Sequence, residues 1–409
     1  MLNIIWVLFF IIAFILALGK LVFLGEQQVF AEMIQVMFTL SKTAFEIALG
    51  LTGILSLWLG IMNIGEQSGL IRWLTRGLTP LFKRLMPEVP DNHPALGAMV
   101  MNISANALGL DNAATPLGIK AMKALQSLNP SPNTASNAQI LFLVINTSAV
   151  TLFPVTIFTY RHQLGASNPA DVFIPILIAT YCSTLIGILA VAWVQKINLW
   201  DKVILSYLIG FSSLVLGIVY YFSQLSQIDM MQQSALISNV ILFSLVIAFI
   251  LMASYQRINA YEAFIEGAKE GFSTAIMIIP YLVAMLVAIG VFRASGALEL
   301  CTDGLRYGIN LVGWDARFID AMPTAFMKPF SGSGARAMMV DTMTTYGADS
   351  FSGRLASVLQ GSTETTFYVL SVYFGAVGIK NIRHALACGL IADIAGIIAA
   401  IFVSYWFFA

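Results

Sequence analysis

Residues able to do chemistry are sparse in this 409-residue chain, and they gather in two paired regions. The first runs Leu110-Asp111-Asn112-Ala113-Ala114-Thr115-Pro116, with Lys120 and Lys123 beyond it and Asn146-Thr147-Ser148 further on. The second runs Lys328-Pro329-Phe330-Ser331-Gly332-Ser333-Gly334-Ala335-Arg336, then Asp341, with Gln360-Gly361-Ser362-Thr363-Glu364-Thr365 further on. Carboxylates such as Asp111 and Glu364 can take up a coupling ion, a proton or sodium. Amides and hydroxyls at Asn112, Thr115, Asn146, Thr147, Ser331, Ser333, Gln360, Ser362 and Thr363 can hold a small polar solute, with Arg336 or Lys328 balancing its charge. No Ser/His/Asp arrangement or dinucleotide fingerprint accompanies them. The set therefore points to binding rather than catalysis, and neither an enzyme nor a cofactor is expected. The three cysteines, Cys182, Cys301 and Cys388, and the three histidines, His93, His162 and His384, lie far apart. Their spacing suits neither a zinc site nor a disulfide framework.

Each candidate also has a plain structural use. Asp111 or Asn112 can cap a helix whose first turn holds Pro116; alternatively, a helix start buried at midplane aims positive dipole at a ligand. The two glycines of Ser331-Gly332-Ser333-Gly334 permit either an anion-receiving nest or a tight turn between hairpin arms. The spacing is not that of a P-loop, and no strand precedes it. Lys120 and Lys123, late in a helix, read as snorkelling side chains. Glu364, set between threonines and followed by an apolar run, reads as functional, because an ionisable group in hydrocarbon is costly. The polar breaks at Asn146-Thr147-Ser148 and Gln360–Thr365 serve either as a solute site or as glue between helices.

What must position these groups is a membrane-embedded scaffold. Of all residues 58% are hydrophobic and 10% charged, with a mean hydropathy of +0.84. A soluble domain carries roughly 25% charged residues, so lipid must be the solvent for much of this chain. A net charge of +0 offers no basic excess for nucleic acid. A bilayer core needs about 20 apolar residues in helix. Spans are predicted over residues 3–18, 44–62, 138–158, 172–194, 202–222, 236–254, 273–292 and 385–408, with a weaker one at 365–377. The first, without a basic leader or a small-residue cleavage site, reads as a retained transmembrane helix. Residues 96–125 and 318–345 are too polar to span simply and read as re-entrant hairpins or broken helices, tolerated where protein buries them or a cavity receives them.

The chain also resembles itself. Ser68-Gly69-Leu70-Ile71-Arg72-Trp73-Leu74-Thr75-Arg76-Gly77-Leu78 and Ser295-Gly296-Ala297-Leu298-Glu299-Leu300-Cys301-Thr302-Asp303-Gly304-Leu305 agree at five of eleven positions, each directly after a long apolar helix. Gly118-Ile119-Lys120-Ala121-Met122 matches Gly334-Ala335-Arg336-Ala337-Met338 at an offset of 216, and the same offset lays Asn146-Thr147-Ser148 on Ser362-Thr363-Glu364. Three ordered matches predict a repeat. Five crossings separate the starts of the two copies if the hairpins contribute none, and an odd number predicts that the copies are inverted. Inverted repeats around a midplane site are a secondary-transporter architecture.

The stretch from Asn102-Ile103-Ser104-Ala105-Asn106 through Asp111-Asn112-Ala113-Ala114-Thr115-Pro116 to Gly118-Ile119-Lys120-Ala121-Met122 resembles the spore maturation protein A family. The stretches Met327-Lys328-Pro329-Phe330-Ser331-Gly332-Ser333-Gly334-Ala335-Arg336 and Leu359-Gln360-Gly361-Ser362-Thr363-Glu364-Thr365-Thr366-Phe367-Tyr368 resemble the spore maturation protein B family. Both families belong to the nucleoside-recognition, or gate, group, which is similar to parts of concentrative nucleoside transporters and of ferrous-iron transport protein B. The resemblance implies a core of hairpin plus broken helix and names no substrate. The expected fold is therefore an all-α, polytopic transmembrane protein with two inverted repeats, each with a re-entrant hairpin and a broken helix. Residues 1–40 form an N-terminal helix and connector, 41–165 a first gate domain, 166–260 linking helices and 261–409 a second gate domain. The expected function is ion-coupled movement of a small polar solute, nucleoside-like or anionic, across a bacterial inner membrane; the alternative is a non-transporting scaffold or regulator. Expected partners are the lipid bilayer, the solute, a coupling ion and a second copy of the chain.

Overall fold

Backbone amides surrounded by lipid must find their partners within their own segment, which leaves helices as the available form for separate apolar runs. A computed structural model of the chain describes residues 2–107, 111–148 and 151–409, and at Leu2, Ile71, Arg72, Asp111, Asn112 and Ala113 it describes the backbone alone. The protein is 80% helical, with no strand among the described residues. In order the helices are α1 (Leu2–Gly19), α2 (Val29–Gln67), α3 (Leu70–Leu85), α4 (Pro94–Ala107), α5 (Asp111–Gln126), α6 (Asn137–Ser148), α7 (Val155–Gln163), α8 (Phe173–Gln195), α9 (Lys202–Ser223) and α10 (Gln227–Tyr255). There follow α11 (Ala260–Ala294), α12 (Ala297–Leu311), the short α13 (Met322–Met327), α14 (Gly332–Tyr346), α15 (Phe351–Ser362), α16 (Thr366–Gly375) and α17 (Ala385–Phe408).

Seven helices among the described residues are long and apolar enough to cross a membrane: Asn3–Leu24, Val29–Gln67, Phe173–Gln195, Lys202–Ser223, Gln227–Tyr255, Ala260–Ala294 and Ala385–Phe408. The predicted spans at 44–62, 236–254 and 273–292 lie inside longer helices. The predicted span at 138–158 is corrected: it is two helices, α6 and α7, with residues 151–154 outside either. Pro154 helps to explain the interruption, since it supplies no amide and disfavours helix at Phe153. Large apolar side chains such as Leu214, Phe243, Leu251 and Phe402 stand more than half exposed, as lipid-facing residues should. Exposed Trp193 and Trp200 flank the α8–α9 turn, and Tyr255 and Tyr261 flank the α10–α11 turn. These are the places where amphipathic rings favour the headgroup level.

The repeat is visible element by element. Twice the chain runs long helix, amphipathic helix, hairpin, broken helix: α2, α3, α4–α5, α6–α7, and then α11, α12, α13–α14, α15–α16. The corner between the first two elements is built the same way each time. Gly69 (φ 81°) and Gly296 (φ 82°) take the left-handed conformation that glycine adopts without strain. The serine before each is fully buried and donates its hydroxyl three residues back, Ser68 to the Gly65 carbonyl at 2.9 Å and Ser295 to the Phe292 carbonyl at 2.8 Å.

The chain divides into two compact units that cut across this order. One comprises residues 1–59, 156–169 and 268–360, the other 60–155, 170–267 and 361–409. In the first unit, α1 lies on α11: Trp6 Nε1 donates to the Ala284 carbonyl at 3.0 Å, and the Phe9 and Phe292 rings meet at 4.9 Å. In the second unit, α17 packs along α8 and against α6. Its core joins Met99, Met122, Leu125 and Phe142 to Tyr373 and Cys388.

Candidate functional site

In the second unit the C-terminal end of α6 meets the break between α15 and α16. The Glu364 amide, left without a helical partner by the break, donates to the Thr147 carbonyl at 2.7 Å. The two polar breaks matched in sequence thus touch. Around them, Asn146, Thr147, Ser148, Ser362, Thr363, Thr365 and Thr366 are all buried, and Glu364 is half-buried. Thr147 and Ser148 donate their hydroxyls to carbonyls of their own helix, Val144 and Ile145. The hydroxyls of Thr363 and Thr365 have no hydrogen-bond partner among the described residues. A buried, unmet hydroxyl is costly in apolar surroundings, so these two are where a ligand would be most favoured.

The α4–α5 hairpin reaches the same place through asparagines. Asn106 Nδ2 donates to Asn146 Oδ1 at 2.8 Å, and Asn146 Nδ2 donates to the Phe142 carbonyl at 2.8 Å. Asn102 Nδ2 donates to the Ala114 carbonyl at 2.7 Å and to the Tyr373 hydroxyl at 3.2 Å, tying the two arms of the hairpin to each other and to α16. Tyr373 can reach this position because Gly118 leaves room; a Cβ there would overlap the phenol oxygen. Thr115 is half-buried, and Lys120 and Lys123 are exposed, as snorkelling side chains should be. Pro116 is the sixth residue of α5, beyond the first turn in which it was expected. The side chains of Asp111 and Asn112 lie outside the described residues.

The remaining predicted residues belong to the first unit. Ser331 is the cap of α14: its extended backbone presents Oγ to the Gly334 amide at 3.0 Å, and Ser333 Oγ is 3.2 Å away. This favours the turn over the anion nest. Lys328 is buried, and the Arg336 guanidinium stands 5.8 Å from the centre of the Tyr160 ring. Gln360 is buried with Oε1 unmet among the described residues. Asp341 pairs with Arg293 from the end of α11, beside a cavity of about 460 Å³ that Gln35, Thr39 and Thr344 also line.

Several residues here were not singled out by the sequence. Asn102, Asn106 and Tyr373 find partners too distant in the chain to anticipate. Arg161, fully buried, donates to the Ala348 carbonyl at 2.8 Å and pairs with Asp349. Asp393, 1% exposed, accepts from Thr366 Oγ1 at 2.7 Å. Its signal was available, as the lone acidic residue of an apolar span.

A doubled unit of long helix, hairpin and interrupted helix, with polar residues buried at the interruptions, defines a polytopic membrane protein of the gate type. The nucleoside-recognition (Gate) family matches residues 48–163 and 275–380, more than half of the chain, and the protein belongs to that family. Two proteins of Bacillus subtilis (strain 168) are similar to different parts of the chain. Spore maturation protein B is 49% identical over 159 residues, 88% of that protein and 39% of this one. Spore maturation protein A is 40% identical over 183 residues, 90% of that protein and 45% of this one.

Proposed function

We propose that this protein moves a small polar solute, nucleoside-like or anionic, across a bacterial plasma membrane in company with a coupling ion. The observation that carries the reading is the junction of Glu364 with Thr147, where two interrupted helices bring polar backbone and unmet hydroxyls together in an otherwise apolar unit. Irregular backbone among membrane helices is the recurrent setting of solute and ion sites in secondary transporters. The family's description supports a nucleoside-like solute, and a count of five crossings between the starts of the two copies, with the broken α6–α7 pair taken as one crossing beside four long helices, supports inversion. Asn112, Thr115, Asn146, Thr147, Ser362 and Thr363 are assigned to solute, as are Ser331, Ser333, Arg336 and Gln360; Asp111 and Glu364 are assigned to the ion. No reaction is assigned.

The test is flux. Purified protein in liposomes is offered labelled uridine, adenosine and small organic anions under a sodium or proton gradient. Gradient-driven uptake of at least one is expected, with roughly a tenfold or greater loss in Glu364→Gln, in keeping with removal of a half-buried charged partner. If no solute moves under either gradient, and Glu364→Gln leaves the cellular phenotype intact, transport is refuted.

A second reading has its own support. The amides of Asn102, Asn106 and Asn146 and the Tyr373 hydroxyl largely satisfy one another. Such networks also serve to glue helices, and the names of the two relatives tie them to spore maturation rather than to a cargo. A non-transporting membrane scaffold or regulator is the reading that an absence of flux would favour.

A further inference from the structure

Asp393 is not used in the assignment above. It lies within α17 at 1% exposure, in a helix whose other faces present Ile394, Ile398 and Phe402 outward. Gly389, Asp393 and Gly396 follow one another at helical spacing and share a face. That face lies on the break between α15 and α16. A Cβ at Gly396 would stand 2.6 Å from Thr363 Cγ2 and 3.3 Å from the Ser362 carbonyl oxygen, and one at Gly389 would stand 2.9 Å from Thr366 Cγ2. The absence of side chains at these two positions is what lets the carboxylate and the break approach.

The methyl groups of Thr363 and Thr366 pack at the two glycines, and the polar atoms near them are oxygens: the Ser362 carbonyl at Gly396, and the Thr147 and Thr366 hydroxyls at Gly389. Thr366 Oγ1 donates its proton to Asp393 Oδ2 at 2.7 Å, which leaves the hydroxyl's lone pairs available. Thr363, 2% exposed and seated at Gly396 one turn from Asp393, has a hydroxyl with no hydrogen-bond partner among the described residues. Helix α15 ends at Ser362, and a helix end presents carbonyl oxygens together with partial negative charge. One carboxylate, neutral hydroxyls and a negative dipole end suit a hard ion of single positive charge. A divalent metal would want more acidic or nitrogen ligands, and no group of three or more His, Cys, Asp or Glu is placed to hold one among the described residues.

We propose that Asp393, Thr363 and Thr366, with the carbonyl end of α15, bind a sodium ion. Asp393 supplies the balancing charge and Thr366 orients the carboxylate. Thr363 turns its unmet hydroxyl oxygen to the ion. Binding stands on this geometry alone; its use to drive a solute rests on the transport reading above.

The test is thermal unfolding of the purified full-length protein in detergent, followed by tryptophan fluorescence, in sodium, potassium or choline chloride at constant ionic strength. The midpoint is expected to rise with sodium in a saturable way and to be flat in choline, with potassium weaker. Asp393→Asn should abolish the sodium response, and Thr363→Val, which preserves shape, should raise the half-saturating sodium concentration at least about tenfold. Should Asp393→Asn fail to fold, Thr363→Val decides the matter. Equal midpoints in sodium and choline, or a sodium response unchanged in Thr363→Val, would overturn the proposal. Sodium-dependent stability without any solute flux would leave the ion site standing and remove the transport reading instead.

Discussion

Asp349→Asn offers a test of how the first unit is held together. Arg161, in the later half of the first copy's broken helix, is fully buried and donates to Pro169 O at 3.1 Å and Ala348 O at 2.8 Å; Asp349 Oδ1 lies 3.4 Å from its Nη2. The other carboxylate oxygen of Asp349 receives the Ser167 amide at 2.9 Å and hydroxyl at 2.5 Å. Burial pushes the Asp349 carboxyl up, but the Ser167 hydroxyl and amide, with the Arg354 and Arg161 cations, outweigh it and hold the group below its ordinary value. Asparagine keeps one acceptor and turns an NH2 group toward donors, so at least one charge-assisted bond is lost, worth about 1.5–3 kcal/mol. The Asp349 side chain is 35% exposed, and solvent screening discounts the loss to about 1–2 kcal/mol. In a chain of this size that is a fall in unfolding midpoint of roughly 1–2 °C, read at one scan rate because membrane proteins unfold irreversibly. A carboxyl whose folded value is depressed stabilises above its unfolded value, about 3.9, and that stability disappears as pH falls through the folded value. The gap between wild type and Asp349→Asn should therefore be full at pH 7 and at pH 5 and should narrow below about pH 4. Equal midpoints at pH 7, or a gap that persists undiminished at pH 3, would refute the reasoning.

Two further substitutions probe the packing around the candidate site. Gly118→Ala places a methyl group within the space of the Tyr373 phenol and should cost about 1–3 kcal/mol, the usual range for overpacking. Tyr373→Phe should recover part of that loss by removing the nearest atom, and strictly additive midpoints in the double variant would count against the contact. Ser331→Ala removes the Oγ that caps α14 through the Gly334 amide. It should lower stability by about 1 kcal/mol, and an unchanged midpoint would mean that the serine's purpose is not capping.

How much of this was legible in the sequence depends on the range over which each feature is determined. Lipid residence follows from composition, and the hairpins follow from local interruptions by glycine and serine, so both could be read directly. The break between α6 and α7 was harder, because only the short polar run Asn146-Thr147-Ser148 and Pro154 interrupt an otherwise apolar stretch from Ala138 to Phe158. Asp393 was overlooked for the opposite reason: one acid does not spoil a 24-residue apolar span, so a search for spans passes over the residue that most needs explaining. Asn102 and Tyr373 bond across 271 residues, and no periodicity encodes such a partner.

The repeat, however, contains more than a duplication of parts. The second unit holds the first copy's hairpin together with α16 from the second copy, while the first unit holds the second copy's hairpin together with α7 from the first. Each broken helix therefore gives its later half to the unit built on the other copy's hairpin. Each interruption leaves backbone groups that must find partners elsewhere, as the Glu364 amide does at Thr147. The polar residues of the candidate site thus lie at the interruptions themselves. The two polar breaks matched in the sequence are the segments that this hydrogen bond joins.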